Sequence, residues 1–196
     1  MVFDGIILSF IIALLRKGNL QAFSTLKLKW GWIFPVFLII QLSVYFLQNS
    51  IEFLGQISGF IFMAVYIVGM VFLYVNRDHK GFNVILIGVF LNFIVMVLNG
   101  GRMPVSAEAA AVLDPMYLEI LKEELYAKHT LLTDATRLGF LGDIIPLSSP
   151  YPKTQVISIG DVVMNIGGFQ FIQYIMVHKA RKQESASVSD LKEVNN

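Results

Sequence analysis

The sequence contains no cysteine, and only 15% of its 196 residues are charged. A chain without cysteine has no disulfides, no thiolate metal ligands and no cysteine nucleophile. Its formal net charge of +1 offers no basic surface for nucleic acid, so we expect no nucleic-acid partner. These absences exclude thiol redox chemistry and several classes of enzyme.

Histidine is scarce as well, and the common catalytic motifs are missing. His79, His129 and His178 are far apart, and there is no His-Glu-x-x-His zinc pair. Neither a Gly-x-x-x-x-Gly-Lys phosphate loop nor a Gly-x-Ser-x-Gly elbow occurs. We therefore expect no metal and no cofactor. His129 is either a solvated surface residue or a helper of Asp143.

Apolar residues dominate what is present. They make up 56% of the chain, and the mean hydropathy is +0.67, which is typical of integral membrane proteins. The first apolar run is short for a hydrocarbon core of about 30 Å, whereas the others approach or reach the required length. We predict an all-α integral membrane protein with one embedded domain, 1–178. Its transmembrane helices are predicted at about 2–15, 32–47, 53–75, 82–98 and 156–178.

Lysine and arginine cluster after the first, third and fifth predicted spans, and the connection between the second and third spans has neither. By the positive-inside rule, the three basic connections lie in the cytoplasm. We therefore predict the N-terminus outside, the C-terminus inside, and the connection 99–155 outside. The basic residues in question are Arg16, Lys17, Lys27, Lys29, Arg77, Lys80, Lys179, Arg181 and Lys182.

The outer connection 99–155 is predicted to contain an amphipathic helix followed by a loop. Asp114 and Pro115 are typical of an N-cap and a first helical position, and leucines follow on one face. Prolines keep the segment after Asp143 extended. The polar tail, 179–196, is predicted to be disordered. The leucines are Leu118, Leu121 and Leu125, and the prolines are Pro146, Pro150 and Pro152.

Polar and small residues recur at helical spacing in two of the predicted spans. Such stripes let membrane helices approach closely and form hydrogen bonds, with no catalytic role required. We expect the two stripes to face each other. They consist of Gly88, Asn92 and Asn99 in the fourth span and of Ser158, Asp161, Asn165 and Gly168 in the fifth.

Asp161 is harder to explain structurally, because an ionised carboxylate within a bilayer costs about 2.5 to 3.5 kcal/mol on insertion scales. It is either a functional group or one half of a structural ion pair with Arg102, which follows the fourth span. Asp143 lies upstream in the outer connection, where it either caps a turn or joins Asp161 in a shared site. Two carboxyl groups in a poorly hydrated pocket cannot both ionise readily.

Three segments carry a resemblance that extends over nearly the whole chain. They read NGGRMPVS at 99–106, LGDIIP at 141–146 and SIGDVVMNIG at 158–167. Together with the predicted spans, they resemble a bacterial family of multi-pass membrane proteins classed as a domain of unknown function. This resemblance implies a location in the bacterial cytoplasmic membrane but no particular activity.

The C-terminal part of the chain also resembles signal peptidase II, an intramembrane aspartyl protease. Asp143 in Leu-Gly-Asp-Ile and Asp161 in Ser-Ile-Gly-Asp occupy the places of that family's two aspartates. The segment from Asn99 to Arg102 stands where the family has a Gly-Asn-x-x-Asp-Arg motif. The sequence departs from the family in having Ser158 for an asparagine and in retaining only the arginine of the Asp-Arg pair.

The resemblance implies an aspartyl-dyad hydrolase that acts near the outer leaflet on a lipid-linked or transmembrane peptide substrate. Asp143 and Asp161 would be the acid and the base. The groups that would bind the substrate or its oxyanion are Asn99, Arg102, Ser158 and Asn165.

Two other interpretations remain open. In one, the protein is not an enzyme and binds a lipid, a partner helix, a small solute or a proton through Asp161. In the other, it is a structural subunit whose assembly depends on Gly160 and Gly167. Replacement of Asp143 distinguishes them from the hydrolase, because only the hydrolase requires both carboxyl groups.

Overall fold

The computed structural model describes residues 4–47, 51–113, 121, 128–149, 151 and 153–179. Helices occupy parts of all five apolar runs. They are α1 (Asp4–Leu15), α2 (Ile33–Leu47), α3 (Glu52–Val75), α4 (Phe82–Leu98), the short α5 (Ala107–Ala110) and α6 (Ile159–Gln173), which continues as a π-helical segment, Tyr174–Lys179. Short 3₁₀ helices form at Leu20–Thr25 and Gly139–Leu141.

One helix among the described residues, α3, is long and apolar enough to cross a membrane, over Ile57–Val75. The apolar stretches Gly5–Leu15, Pro35–Val44 and Phe82–Leu98 are shorter. Helices therefore form where the apolar runs predict them, while their crossing of a bilayer stays a prediction.

A four-stranded sheet forms within the long connection between α4 and α6. Its strands are β1 (Met103–Val105), β2 (His129–Leu131), β3 (Asp143–Leu147) and β4 (Gln155–Ser158), in the order β2-β1-β3-β4. Strand β1 is parallel to both of its neighbours, and β3 is antiparallel to β4.

This sheet differs from the prediction for the connection, which was an amphipathic helix followed by a loop. The extended backbone that Pro146 favours is also the backbone of a strand, and Pro146 pairs with Val156. Residues 156–158, predicted as the start of the fifth span, belong to β4, so the helix begins at Ile159.

The turn after α4 directs the chain into the sheet. Gly100 and Gly101 adopt positive φ angles of 71° and 80°, a conformation that favours glycine. The amide of Gly101 donates to the carbonyl of Met96, and β1 begins two residues later. A core cluster then joins this region to the helices α2, α3 and α4. Its buried members are Val44, Phe62, Val95, Met96, Met103 and Leu141.

The helices α1 and α6 run in the same direction and are linked by buried polar groups. Gly5, near the start of α1, lies against Asn165 near the middle of α6, and Gly18 lies against Met176 beyond the ends of both helices. Between these points, the side-chain amide of Gln173 donates to the carbonyl of Ser9 at 2.8 Å. The N-terminal end of α1 is therefore on the same side of the bundle as the sheet.

The connections rich in lysine and arginine meet at the opposite end. The backbone amide of Lys29 donates to Oδ1 of Asn76 at 2.8 Å, and Nδ2 of Asn76 donates back to the carbonyl of Lys29 at 3.0 Å. These bonds join the α1–α2 connection to the α3–α4 connection. We refer to this end of the bundle as the basic end, and to the other as the sheet end.

Some predictions fall outside the described residues. The amphipathic helix is one of them, since only Leu121 of its leucines is described, and that side chain is buried. Pro150, Pro152 and the tail after residue 179 also lie outside.

Candidate functional site

Asp161 lies in the first turn of α6 and takes part in the cap of that helix. The hydroxyl of Ser158 accepts a hydrogen bond from the amide of Asp161 at 3.0 Å, and the amide of Ser158 donates to Oδ2 of Asp161 at 3.2 Å. This reciprocal capping box satisfies two amides that would otherwise lack partners at the helix start. Asp161 is only 9% exposed.

Asn92 extends this arrangement across the contact between α4 and α6. Its Nδ2 donates to Oδ1 of Asp161 at 3.2 Å, and its Oδ1 accepts from the hydroxyl of Ser158 at 2.8 Å. Asn92, Ser158 and Asp161 thus form a closed ring of hydrogen bonds in the buried interface. These bonds engage both oxygens of Asp161, and the described residues show no salt bridge between Asp161 and Arg102.

The predicted contact between the two polar stripes is confirmed for part of each stripe. Gly88 and Asn92 pack against Gly160, one residue before Asp161. Gly168, by contrast, faces α1, and it is Gly167 that approaches α4, at Ile85. Asn165 also differs, because it lies against Gly5 and donates to the carbonyl of Asp161 at 2.8 Å.

Asp143 is brought to the same region by the sheet. It is the first residue of β3, where it is the cross-strand partner of both Val105 and Ser158. Its side chain is 90% buried. Oδ2 lies 3.6 Å from Nε2 of His129, whereas Oδ1 is buried with no hydrogen-bond partner among the described residues.

The surroundings shift the protonation of this pair. Burial, followed by the negative charge of Asp161, raises the pKa of Asp143 to about 7. Burial, followed by the positive charge of Lys128, lowers the pKa of His129 to about 3. At neutral pH the imidazole is therefore uncharged, and Asp143 is present in both its protonated and its ionised form. The contact between them is consequently polar but is not a salt bridge.

Both carboxyl groups line one cavity of about 370 Å³ between the sheet and the helices α3, α4 and α6. This is within the size range of small-molecule sites. Its wall combines polar and apolar side chains. The lining residues are Tyr66, Asn92, Met103, Val105, Leu113, Lys128, His129, Asp143, Thr154, Gln155, Val156 and Asp161.

The other predicted site residues do not line this cavity. Asn99 has a different role: its Nδ2 donates to the carbonyls of Val95 and Arg137, and its Oδ1 accepts from the amide of Arg137. It thereby ties the loop before β3 to the end of α4. Ser158 and Asn165 form hydrogen bonds with Asp161 but do not themselves line the cavity. Arg102 does not line the cavity either.

The sequence did not lead us to predict Tyr66 or Lys128 as site residues, and Asn92 was interpreted mainly as a structural residue of its stripe. The sequence does contain a signal for Tyr66, because a hydroxyl group within an apolar run indicates a candidate site residue. The sequence contains no such signal for Lys128, because a lysine in a long connection is usually solvated. Among the residues that the structure describes, no three His, Cys, Asp or Glu side chains form a group that could hold a metal ion.

Comparisons with known proteins match this chain to a family of unknown function. Residues 25–173 match the model of a family of unknown function, DUF5317. An uncharacterised protein of Thermotoga maritima is 29% identical over 171 residues, which cover 87% of this chain and 89% of that protein. No solved structure matches.

Proposed function

This chain belongs to DUF5317, a family of unknown function, and we propose that it is a membrane-embedded hydrolase with Asp143 and Asp161 as its acid and base. The observation that supports this proposal is the convergence of two buried carboxyl groups on one cavity. An acid and a base can cooperate only if they reach a common substrate through hydrogen bonds.

Membrane insertion is supported by the apolar side chains on the outer surface of the helices. Leu15 is 79% exposed, Phe46 is 69% exposed and Phe60 is 80% exposed. Soluble monomers rarely expose large contiguous apolar surfaces, whereas the acyl chains of a bilayer would cover them. The concentration of basic connections at the end opposite the sheet supports a cytoplasmic basic end.

Cysteine labelling tests this orientation. Because the sequence contains no cysteine, an introduced cysteine is the only thiol of this sequence that can be labelled. Lys153 is exposed at the sheet end, and Asp78 is exposed at the basic end. In intact cells, a membrane-impermeant maleimide is expected to label Lys153→Cys and to leave Asp78→Cys unlabelled until the membrane is permeabilised. Equal labelling of both variants in intact cells would contradict the proposed orientation.

In the proposed reaction, the carboxylate of Asp161 takes a proton from water as the water oxygen attacks a carbonyl carbon. The carboxyl group of Asp143 donates its proton to the carbonyl oxygen, which gives a tetrahedral intermediate. Asp161 then protonates the leaving amine or alkoxide as the bond to carbon breaks, and Asp143 recovers its proton from the hydroxyl group. One water is consumed, and both carboxyl groups return to their starting states.

The position of the cavity limits the substrate. It lies at the sheet end, where the helices meet the outer connection, so a substrate held in the outer leaflet would be close to both acids. A lipid-linked peptide or a transmembrane peptide would present its scissile bond at this depth. The apolar side chains Met103, Val105, Leu113 and Val156 supply a wall for its non-reacting part.

A pH profile of hydrolysis tests the proposed roles. With the protein in lipid nanodiscs and a fluorescence-quenched diacylated lipopeptide as substrate, kcat/KM is expected to fall about tenfold per pH unit above pH 7. The reason is that Asp143 must be protonated to act as the acid, and its pKa is about 7. Unchanged cleavage by the Asp143→Asn and Asp161→Asn variants would refute the proposal.

The hydrogen bonds of Asp161 favour one alternative. Because both of its oxygens already accept hydrogen bonds, from Asn92 and Ser158, Asp161 is equipped for a structural or binding role. The protein would then bind a lipid, a partner helix, a small solute or a proton without chemistry. In that case Asp143→Asn is expected to preserve function and Asp161→Asn to abolish it, whereas the hydrolase loses activity in both variants.

A further inference from the structure

Hydrolysis by the two carboxyl groups builds up negative charge on the carbonyl oxygen before proton transfer is complete. A carbonyl oxygen has two lone pairs, of which Asp143 would occupy one, so a second donor would stabilise the transition state. The polar residues expected from the sequence do not supply it. Asn99 binds backbone groups outside the cavity, and the hydroxyl of Ser158 donates to Asn92.

Tyr66 is placed to supply this hydrogen bond. It lies in the middle of α3 and lines the same cavity as Asp143 and Asp161, where the charges of both carboxyl groups reach its phenol. The ring packs against the core cluster at the sheet end, which restricts its orientation. A donor that is fixed before the reaction requires little reorganisation during it.

Asn92 lines the same cavity as Tyr66 and holds the proposed base. Its side-chain amide donates to Oδ1 of Asp161. Since an amide NH₂ group has two hydrogens, the second hydrogen can bind the Tyr66 oxygen, which leaves the phenolic hydrogen available to the cavity.

We propose that Tyr66 is a third catalytic residue, whose hydroxyl donates a hydrogen bond to the substrate carbonyl oxygen as negative charge develops on it. The phenol keeps its proton throughout, so the atoms and charges of the reaction remain those given above. This proposal depends on the proposed hydrolase function, and its test includes variants that examine that function separately.

The central variant is Tyr66→Phe, measured in lipid nanodiscs with the same quenched lipopeptide. We expect kcat to fall about 100-fold, which is typical of losing one oxyanion donor, while KM changes little. Tyr74→Phe is the matched control, because Tyr74 lies on the same helix with an exposed side chain that contacts Arg77. Its kcat is expected to equal that of the wild type.

A transition-state mimic separates catalysis from folding. A peptide difluoroketone, whose hydrate resembles the tetrahedral intermediate, is expected to bind Tyr66→Phe about 100-fold more weakly than the wild type. Binding of the lipopeptide itself is measured with the inactive Asp161→Asn variant, which does not cleave it. The lipopeptide is expected to bind equally well to Asp161→Asn and to the double variant Asp161→Asn/Tyr66→Phe. A purely structural role for Tyr66 would weaken both ligands to a similar extent.

The outcomes distinguish the two proposals. If both aspartate variants are inactive and Tyr66→Phe retains wild-type kcat, the role of Tyr66 is refuted and the hydrolase stands. If Lys128→Met loses about 100-fold in kcat and Tyr66→Phe does not, the lysine is the donor and Tyr66 is not. If the wild type shows no hydrolysis that depends on Asp143 and Asp161, both proposals fail.

Discussion

Replacing Gly160 with alanine is expected to lower the melting temperature of the protein by about 10 °C. A β-carbon at this position would overlap the side chain of Asn92 and the carbonyl of Gly88. The helices α4 and α6 would have to separate, at a cost of about 1 to 3 kcal/mol for overpacking. Loss of the buried hydrogen bonds of Asn92 adds about 1 to 3 kcal/mol, and about 2 to 4 °C is lost per kcal/mol in a chain of this length.

The matched control is Gly69→Ala. Gly69 also lies within a helix, α3, but a β-carbon there would meet no other atom within 4 Å. Because alanine favours helix over glycine, its melting temperature is expected to equal or slightly exceed that of the wild type. Thermal unfolding in a mild detergent measures both variants. Equal melting temperatures for Gly160→Ala and Gly69→Ala would show that the α4–α6 contact is not as close as described.

Much of the helical architecture could be predicted from the sequence, because apolar runs and basic connections are strong local signals. The contact between α4 and α6 was predictable because polar and small residues recur at helical spacing in each helix, among them Gly88 and Asn92 in α4 and Asp161 in α6. The pattern did not specify which small residues of α6 make the contact. Gly160 and Gly167 face α4 because the cap at Ser158 sets where the helix begins and hence its rotation.

The sheet was not predictable from local pattern. Its strands are three to five residues long, too short to show a clear alternation of apolar and polar residues, and β3 contains a proline. Its pairings also join residues far apart in sequence, such as Met103 with His129.

For the candidate site, the sequence identified the two carboxyl groups but not the residues around them. Asp143 and Asp161 were recognisable because acidic residues next to apolar runs are uncommon. Tyr66 and Lys128 come from other parts of the chain, and only the folded arrangement brings them to the cavity. Asn99 and Arg102 were nominated by resemblance to a motif, and the structure places both outside the lining.

Replacing Asp161 with asparagine is expected to lower kcat by a factor of about 10³ and to lower the pKa of Asp143. Asparagine cannot accept the proton of water, and general base catalysis contributes about 10² to 10⁴. One of the two hydrogen bonds to the carboxylate is also lost, because an amide nitrogen cannot accept from Ser158 or Asn92. Asp134→Asn, which removes an exposed acid from the same connection, is expected to leave kcat unchanged.

The pKa of Asp143 responds in a defined direction. In the wild type it is raised to about 7, first by burial and second by the charge of Asp161. Removing that charge eliminates the second cause and leaves the first. The pKa of Asp143 is therefore expected to fall in Asp161→Asn but to remain above the ordinary value for aspartate.

The side-chain carboxyl resonance of ¹³C-labelled Asp143, titrated in lipid nanodiscs and assigned with Asp143→Asn, measures this coupling directly. A midpoint near pH 7 in the wild type and a lower midpoint in Asp161→Asn would agree with two acids that share one cavity. The same midpoint in both proteins, or a wild-type midpoint at the ordinary value for aspartate, would show that the two carboxyl groups do not act together.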